Sequence, residues 1–172
     1  MPVINTLCMW LAAIVLATYP ASKVYPDDEV KQQQHITHVY EVVRDIYEVV
    51  YEPSHKSWFG GKWGRAQEAA LTAIIAAEES GGFNPDIESG KVRGDHGGSW
   101  CLMAMFIGKG KTIEGWTGPE LILDRMKCIK AGVNALQRSM NSCRRYGILS
   151  GLSVYDTGRC IENESISVRR VG

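Results

Sequence analysis

The sequence carries no excess of charge of either sign. Its 172 residues include 19 lysines and arginines against 19 aspartates and glutamates, and the sequence pI is near 6.9. A chain without net charge does not attract polyanions over long distances, so we expect no nucleic acid as a partner. The sequence also lacks internal repeats and low-complexity tracts, and its length suits one compact domain with its own core.

The five cysteines lack the spacing of a metal site. None forms a CxxC pair, and no cysteine and histidine stand at the intervals of a zinc site. His35, His38 and Glu41 follow one another at helical steps of three and could imitate a metal face, but they are better explained as solvated side chains. We therefore expect no metal, and no motif indicates an organic cofactor.

Four cysteines fall in the C-terminal half of the chain. In an oxidising compartment they would form two disulfides, with three pairings open, and buried free thiols are the alternative. Cys128 and Cys143 lie on or beside one apolar helical stripe, and Cys160 follows a glycine turn that lets it reach back. We predict disulfides between Cys101 and Cys128 and between Cys143 and Cys160.

Residues 3–19 form an apolar run of about 17 residues, at the short end for crossing a bilayer. No lysine or arginine precedes the run, and the bulky Tyr19 spoils a small-x-small cleavage site ending at Ala21. For residues 1–24 a packed helix, a signal-like segment and a membrane anchor all stay open. Any membrane contact of the protein is expected through this segment.

The pattern predicts a helical domain over residues 25–162, followed by a tail at 163–172. Asp27 and Asp28 suit the N-cap of a helix that Pro53 ends. The apolar residues of that helix recur at steps of three and four, as on a buried face. They are Ile36, Val39, Val42, Val43, Ile46, Val49 and Val50.

A glycine-rich loop, residues 57–65, precedes an alanine-rich helix over 66–80 that suits a crowded centre. Residues 81–115 are rich in glycine and have no helical period, which predicts a loop or small β-hairpin around 90–107. A last long helix begins near Pro119. Its continuous apolar stripe consists of Ile122, Met126, Ile129, Val133, Leu136, Met140 and Cys143. We therefore predict a single compact, mainly α domain with a small β insert.

Four tryptophans stand beside or near glycines in this part of the chain. Aromatic rings in such places can stack on the apolar faces of sugars, although a tryptophan is equally at home in a core. For each of them we expect the core. They are Trp58, Trp63, Trp100 and Trp116.

Two adjacent glutamates, Glu78 and Glu79, end the alanine-rich helix. On a helical wheel its buried face is defined by three apolar residues, Leu71, Ile74 and Ile75. Glu78 falls near the centre of that face and Glu79 toward one edge. A carboxylic acid in apolar surroundings has a raised pKa and can donate a proton near neutral pH. The wheel favours Glu78, while solvation of both glutamates remains the alternative.

An acid of this kind in a glycosidase commonly works with a second carboxylate as base or nucleophile. Asp86, Glu88 and Asp95 are the candidates, and spacing singles out none of them. Asp95 and His96 are also explained as residues that shape a glycine-rich turn.

Three segments, in this order, resemble the signature of the soluble lytic transglycosylase and goose-type lysozyme superfamily. They are IIAAEESGGFNP at 74–85, GGSWCLMAMF at 97–106 and LSVYDTG at 152–158. The family pattern is Glu-Ser-x-x-Phe-x-Pro at a helix end, then Gly-x-x-Gly-Leu-Met-Gln, then Ala-Tyr-Asn-x-Gly. The matching residues are Glu79, Ser80, Phe83, Pro85, Gly98, Leu102, Met103, Tyr155 and Gly158. The resemblance covers about residues 66–160 and implies a lysozyme-like, mainly helical α+β fold.

The resemblance assigns the acid to Glu79, because the family's catalytic glutamate directly precedes the serine. It implies cleavage of the β-1,4 bond between N-acetylmuramic acid and N-acetylglucosamine in peptidoglycan. The glutamate protonates the glycosidic oxygen and then acts as base, while the 6-hydroxyl of the sugar attacks the anomeric carbon. The product is a 1,6-anhydro sugar, and no second carboxylate is required.

The resemblance also implies substrate-binding residues. Tyr155 would orient Glu79 or the N-acetyl group, and the backbone at Met103 and Ala104 would line sugar subsites. The remaining substrate-binding candidates are Ser80, Phe83, Ser99, Trp100 and Asp156.

Three departures from the family pattern concern these subsites. Cys101 stands where the family has glycine, Ala104 where it has glutamine, and Asp156 where it has asparagine. Cys101 and Ala104 motivate an alternative reading as a non-catalytic peptidoglycan-binding or virion structural module. A hydrolytic goose-type muramidase is the alternative within the same class.

A narrower resemblance, to transglycosylase-like proteins of phages that help the genome through the host cell wall, rests on three further segments. These are VRGDHGGSWC at 92–101, EGWTG at 114–118 and DRMKC at 124–128. It implies peptidoglycan glycan strands as substrate and a virion or bacterial cell envelope as location, periplasmic or extracellular. Further partners would belong to a virion or envelope assembly.

Overall fold

The computed structural model describes residues 2–160, and most of them are helical. The helices are α1 (Pro2–Thr18), α2 (Ala21–Val24), α3 (Glu29–Val50), α4 (Gly64–Glu79), α5 (Pro85–Glu88), α6 (Gly118–Leu123), α7 (Arg125–Ser142) and α8 (Ile148–Thr157). Strands β1 (Ser99–Trp100) and β2 (Met105–Phe106) pair antiparallel, and short 3-10 turns lie at Asp95–Gly97 and Arg144–Tyr146. The predicted mainly α class with a hairpin inside 90–107 is confirmed.

The chain forms two compact units, Met1–Ala131 and Gly132–Gly172, and their boundary falls inside α7. The sequence pattern suggested different limits, with a separate N-terminal segment ending at residue 24. The predicted tail at 163–172 lies outside the described residues.

Helix α1 is packed into the first unit against α3 and α4. Its inward residues recur at helical steps, and they are Cys8, Leu11, Ala12 and Val15. In the structure this segment is a packed helix, and its possible role as a signal or an anchor stays a prediction. Among the helices of residues 2–160, none combines the length and the apolar character that a membrane span needs.

Helix α3 begins as predicted at an aspartate cap, because the side chain of Asp28 accepts a hydrogen bond of 2.9 Å from the Lys31 N–H. Six of its seven predicted stripe residues are buried, and Ile36 is half-buried. The prediction that His35 and His38 are solvated is wrong, since His35 is buried and His38 pairs with a carboxylate. No group of three metal-ligating side chains occurs in the described part of the chain.

Helix α4 buries a different face from the one that we predicted. Ile74 is 44% exposed, and Leu71 and Ile75 are only half-buried. The buried residues are Glu68, Ala69, Thr72, Ala73, Ala76 and Ala77. Since α1 and α3 both pack on α4, the face toward them holds small side chains and the larger apolar residues point away.

The predicted long helix after Pro119 is two helices, because the chain breaks at Asp124 with φ −135° and ψ 97°. Thr117 and Glu120 form a capping box at the start of α6. The Asp124 side chain accepts a hydrogen bond of 3.2 Å from the Lys127 N–H at the start of α7. The break moves Met126 out of the core, where the continuous stripe had put it.

Both predicted disulfides are present. Cys101, in the turn of the hairpin, is bonded to Cys128 in α7 within the first unit, and Cys143 is bonded to Cys160 within the second. Cys8 is a buried free thiol. In the second unit, Gly147 precedes α8 and Gly158, in a left-handed conformation, ends it.

Candidate active site

The two adjacent glutamates differ in exposure. Glu78 is exposed, whereas Glu79, the last residue of α4, is half-buried next to the alanine face. The wheel's preference for Glu78 as the more buried residue is therefore wrong. Its cause is the wrong choice of buried face, because a face centred on the alanines turns Glu79 inward and Glu78 outward.

The turn after Glu79 is fixed by the Ser-x-x-Phe-x-Pro pattern. The Ser80 hydroxyl donates to the Ala76 carbonyl and accepts from the Phe83 N–H at 2.9 Å. Phe83 is almost fully buried and has φ 63°, so its ring anchors a strained backbone. The Asn84 side chain then caps α5, whose first residue is Pro85. Ser80 and Phe83 are thus internal anchors of the turn that carries Glu79.

The end of α1 contacts the same turn. Burial, followed by the neighbouring Glu78 carboxyl, raises the pKa of the Tyr19 phenol to about 12. Gly82 has φ +81°, and a Cβ atom there would lie 2.5 Å from the Cβ of Tyr19. Only glycine fits this position, because both the conformation and the contact exclude a side chain.

Each candidate for a second carboxylate has a partner of its own. Asp86 pairs with Lys91 at 3.0 Å and is exposed, while Asp95 accepts a hydrogen bond from the Ser99 hydroxyl. Glu88 lies 2.8 Å from His38 and 3.3 Å from Arg125. All three are therefore engaged in local contacts of their own.

Arg125 joins Glu88 to helix α3. Its Nε atom lies 2.8 Å from Asp45, and its Nη1 atom lies 3.3 Å from Glu88. Burial alone would raise the pKa of Glu88, but the hydrogen bond and charge of His38 and the charge of Arg125 outweigh it. The pKa of Glu88 is therefore lowered. This network ties α3, α5 and the start of α7 together.

The second motif forms the hairpin. Leu102 and Met103 are buried, and Ala104 is half-buried. Cys101 has φ 58° and Ala104 has φ 45°. Because the left-handed region favours glycine, Cys101 keeps the backbone conformation that suits the glycine it replaces in the family pattern. The Met103 side chain is enclosed, so only its backbone could face a ligand.

Ser99 and Trp100 occupy β1. Ser99 is buried, and its hydroxyl donates a hydrogen bond to the Asp95 carboxylate. The Trp100 Nε1–H donates to the Gly108 carbonyl at 2.9 Å, and the Arg93 guanidinium lies 4.1 Å from the ring centroid. Trp100 is half-buried, so a part of its ring remains exposed to solvent.

Tyr155 and Asp156 lie on α8 of the second unit, whereas Glu79 belongs to the first. Tyr155 is half-buried and Asp156 is exposed. The role of Tyr155 toward Glu79 therefore stays a prediction from the resemblance.

None of the four glycine-flanked tryptophans is in the core, so the expectation of burial is wrong. Trp63 is 59% exposed, and the other three are half-buried. Trp58 stacks on Phe59 with ring centroids 4.8 Å apart. Trp100 packs against Gly118, where an added Cβ would lie 2.1 Å from the indole ring.

Sequence reasoning missed one buried glutamate–histidine pair. Glu68 is fully buried, and its Oε1 atom lies 2.7 Å from Nε2 of His55. Arg65 donates to the Tyr51 and His55 carbonyls and fixes the loop that supplies the histidine. The sequence did carry a signal for this pair. Glu68 and Thr72 lie one helical turn apart on the alanine face, and a glutamate on a buried face needs a hydrogen-bonding partner.

Comparison with known proteins adds no relative: no family model, no curated protein and no solved structure matches the chain.

Proposed function

We propose that the protein is a peptidoglycan lytic transglycosylase with Glu79 as its general acid and base. The observation that carries the proposal is the position of Glu79, half-buried at the last residue of α4 and followed by a turn anchored through Ser80 and Phe83. The resemblance to the superfamily selects the same glutamate from the motif alone. Burial and motif agree in preferring Glu79 to Glu78.

The proposed reaction needs one carboxyl group. Protonated Glu79 gives its proton to the glycosidic oxygen as the bond to the anomeric carbon breaks, and the resulting carboxylate takes the proton of the 6-hydroxyl as that oxygen attacks. The acid is then regenerated, and the product ends in a 1,6-anhydro sugar. The local engagement of Asp86, Glu88 and Asp95 supports a mechanism without a second carboxylate.

The hairpin supports the same proposal. Cys101 replaces a glycine of the family pattern but holds a positive φ, and its disulfide to Cys128 fixes that corner. The substitution therefore preserves the backbone path that would line the sugar subsites at Met103 and Ala104. Two disulfides also fit a protein that acts in an oxidising compartment, as an enzyme of the cell envelope or a virion would.

The test is the digestion of purified peptidoglycan sacculi by the wild type, Glu79→Gln and Glu78→Gln, with the released muropeptides identified by mass spectrometry. We expect anhydro-muropeptides from the wild type and from Glu78→Gln, and a loss of at least about a hundredfold in Glu79→Gln. Glu78→Gln is the matched control, because it makes the same change at the neighbouring position and keeps an oxygen that accepts a hydrogen bond.

Other outcomes would replace the proposal. Muropeptides with reducing ends instead of anhydro ends would indicate a hydrolytic muramidase. Binding to sacculi without release, unchanged in Glu79→Gln, would indicate a peptidoglycan-binding module.

A further inference from the structure

The loops that precede and follow the hairpin are joined by hydrogen bonds. The N–H groups of Ile107 and Gly108 both donate to the Gly98 carbonyl, at 3.2 and 3.0 Å. The Trp100 Nε1–H donates in turn to the Gly108 carbonyl at 2.9 Å. The two loops therefore form one continuous surface beside β1 and β2.

Trp100 carries an arginine on this surface. The backbone of Gly118 closes on the indole ring, and the Arg93 guanidinium lies 4.1 Å from the ring centroid. A guanidinium that stacks on an aromatic ring loses freedom of movement but keeps its N–H donors for other groups. Arg93 is therefore held in place and is still able to donate hydrogen bonds to a ligand.

The surface has an excess of positive charge, although the whole chain is neutral. Residues 92–113 contain a single acidic residue, Asp95, which already accepts a hydrogen bond from the Ser99 hydroxyl. Three exposed cations of these loops form no ion pair with any residue that the structure describes. They are Arg93, Lys109 and Lys111. Lys91, by contrast, pairs with Asp86 at 3.0 Å.

An anion is the ligand that suits such a surface, and a carboxylate matches the planar fork of a guanidinium best. The N-acetylated sugars of peptidoglycan are uncharged. Its carboxylates belong to the stem peptides or, where these have been removed, to the lactyl groups that carried them. Trp100 pairs with Met105 at the end of the hairpin next to the turn, so Arg93 lies near the backbone assigned to the sugar subsites.

We propose that Arg93, supported by Lys109 and Lys111, binds a carboxylate of peptidoglycan. This inference rests on the proposed function, which supplies the polymer and places its sugars along the hairpin turn. The neutral sugars are then bound by shape and hydrogen bonds, and the charged groups attached to them are bound at Arg93.

The test measures binding by the full chain carrying Glu79→Gln, so that the ligand is not consumed. Three soluble probes are compared by isothermal titration calorimetry. The first is peptide-bearing glycan strands, and the second is the same strands after an amidase has removed the stem peptides and freed the lactyl carboxylates. The third is a chitin hexamer, which has the same type of sugar but no carboxylate.

Arg93→Gln should raise the Kd for the peptide-bearing strands about tenfold, because a charge-assisted hydrogen bond is lost. Its Kd for the chitin hexamer should not change, which also shows that the variant is folded. Arg93→Lys should restore only a part of the affinity, since lysine lacks the planar fork. Lys91→Gln is the matched control, and its Kd should stay within about twofold because Lys91 already has a partner.

The stripped strands identify the source of the carboxylate. An Arg93 effect that disappears with them assigns the carboxylate to the stem peptide, and an effect that persists assigns it to the lactyl group. An unchanged Kd in Arg93→Gln for both carboxylated probes would overturn the inference, as would an equal loss of affinity for the chitin hexamer.

The inference and the proposed function can fail separately. Release of anhydro-muropeptides by the wild type without any Arg93 effect on binding would overturn the inference alone. Binding of the strands that depends on Arg93, without release by the wild type, would overturn the proposed lytic activity alone.

Discussion

Helix α4 presents two glutamates on nearly the same side, Glu68 near its start and Glu79 at its end, about three turns apart. Glu68 is fully enclosed, and its carboxyl group is hydrogen-bonded to His55, so it serves the interior. Glu79 is half-buried at the residue where the helix stops. Two glutamates on one side of α4 therefore have different surroundings: Glu68 is part of the interior, and Glu79 lies at the surface. The difference lies in the chain segments that pack at each end of the helix.

The cover over Glu68 is the segment after α3. Arg65 reaches back from α4 to the Tyr51 and His55 carbonyls and brings the histidine onto the glutamate. After Glu79 the chain takes a different course, because Ser80 and Phe83 turn it at once into α5. An enclosed carboxylate stabilises the protein, and a half-exposed one at a rigid turn can meet a substrate.

The largest effect is expected from breaking the enclosed pair. Glu68→Ala leaves His55 buried without its partner, so we expect a loss of about 3–5 kcal/mol in the free energy of unfolding. Urea denaturation measures the loss. Glu79→Gln is the control, and its unfolding free energy should stay within about 0.5 kcal/mol of the wild type. Equal losses in the two variants would contradict the division between an internal and an exposed role.

A slightly smaller effect is expected from opening the hairpin that follows the Glu79 turn. Replacing Cys101 and Cys128 together by alanine removes a cross-link between positions 27 residues apart, which should cost about 3–4 kcal/mol. Hydrogen exchange should then accelerate more in the hairpin, 99–106, than in α4. Uniform acceleration in both would show that the disulfide supports the whole unit and not the hairpin in particular.

The smallest effect concerns Glu88. Like Glu79 it is half-buried, and like Glu68 it is paired with a histidine. Its pKa is lowered in the folded protein, so its stabilising contribution is present above the unfolded value near 4.5 and is lost as the pH falls through the folded pKa. Glu88→Gln should therefore be less stable than the wild type at pH 7. The difference should shrink toward pH 3 in urea titrations at several pH values, and a constant difference would exclude this linkage.

The elements that the sequence predicted correctly are those with local causes. Asp28 caps α3 through a hydrogen bond from the N–H of Lys31, three positions away. The valines of α3 recur at steps of three and four, which places them on one buried face of a helix. The predicted disulfide pairing is also correct, although the spacing of the cysteines left three pairings open; it relied on the apolar stripe beside Cys128 and Cys143 and on the glycine turn before Cys160.

The features that the sequence did not predict depend on distant partners. Ile74 is exposed because the face of α4 that is buried is the one with the alanines, and Ile74 lies on another side of the helix. His35 is buried although three glutamines precede it, and the helix break at Asp124 has neither proline nor glycine to signal it. At the site, the motif indicated Glu79, but nothing local in the sequence indicated that Tyr19 packs against Gly82 in the turn after it.

The packing of α1 on α3 and α4 has a consequence for the order of events during synthesis. These three helices end at Glu79, so every residue of their mutual core precedes Cys101, the first of the disulfide cysteines. Assembly of that core therefore needs no disulfide, and N-terminal parts of a chain can fold first as they emerge. Oxidation closes only parts of the chain that are made after the helix that ends in Glu79.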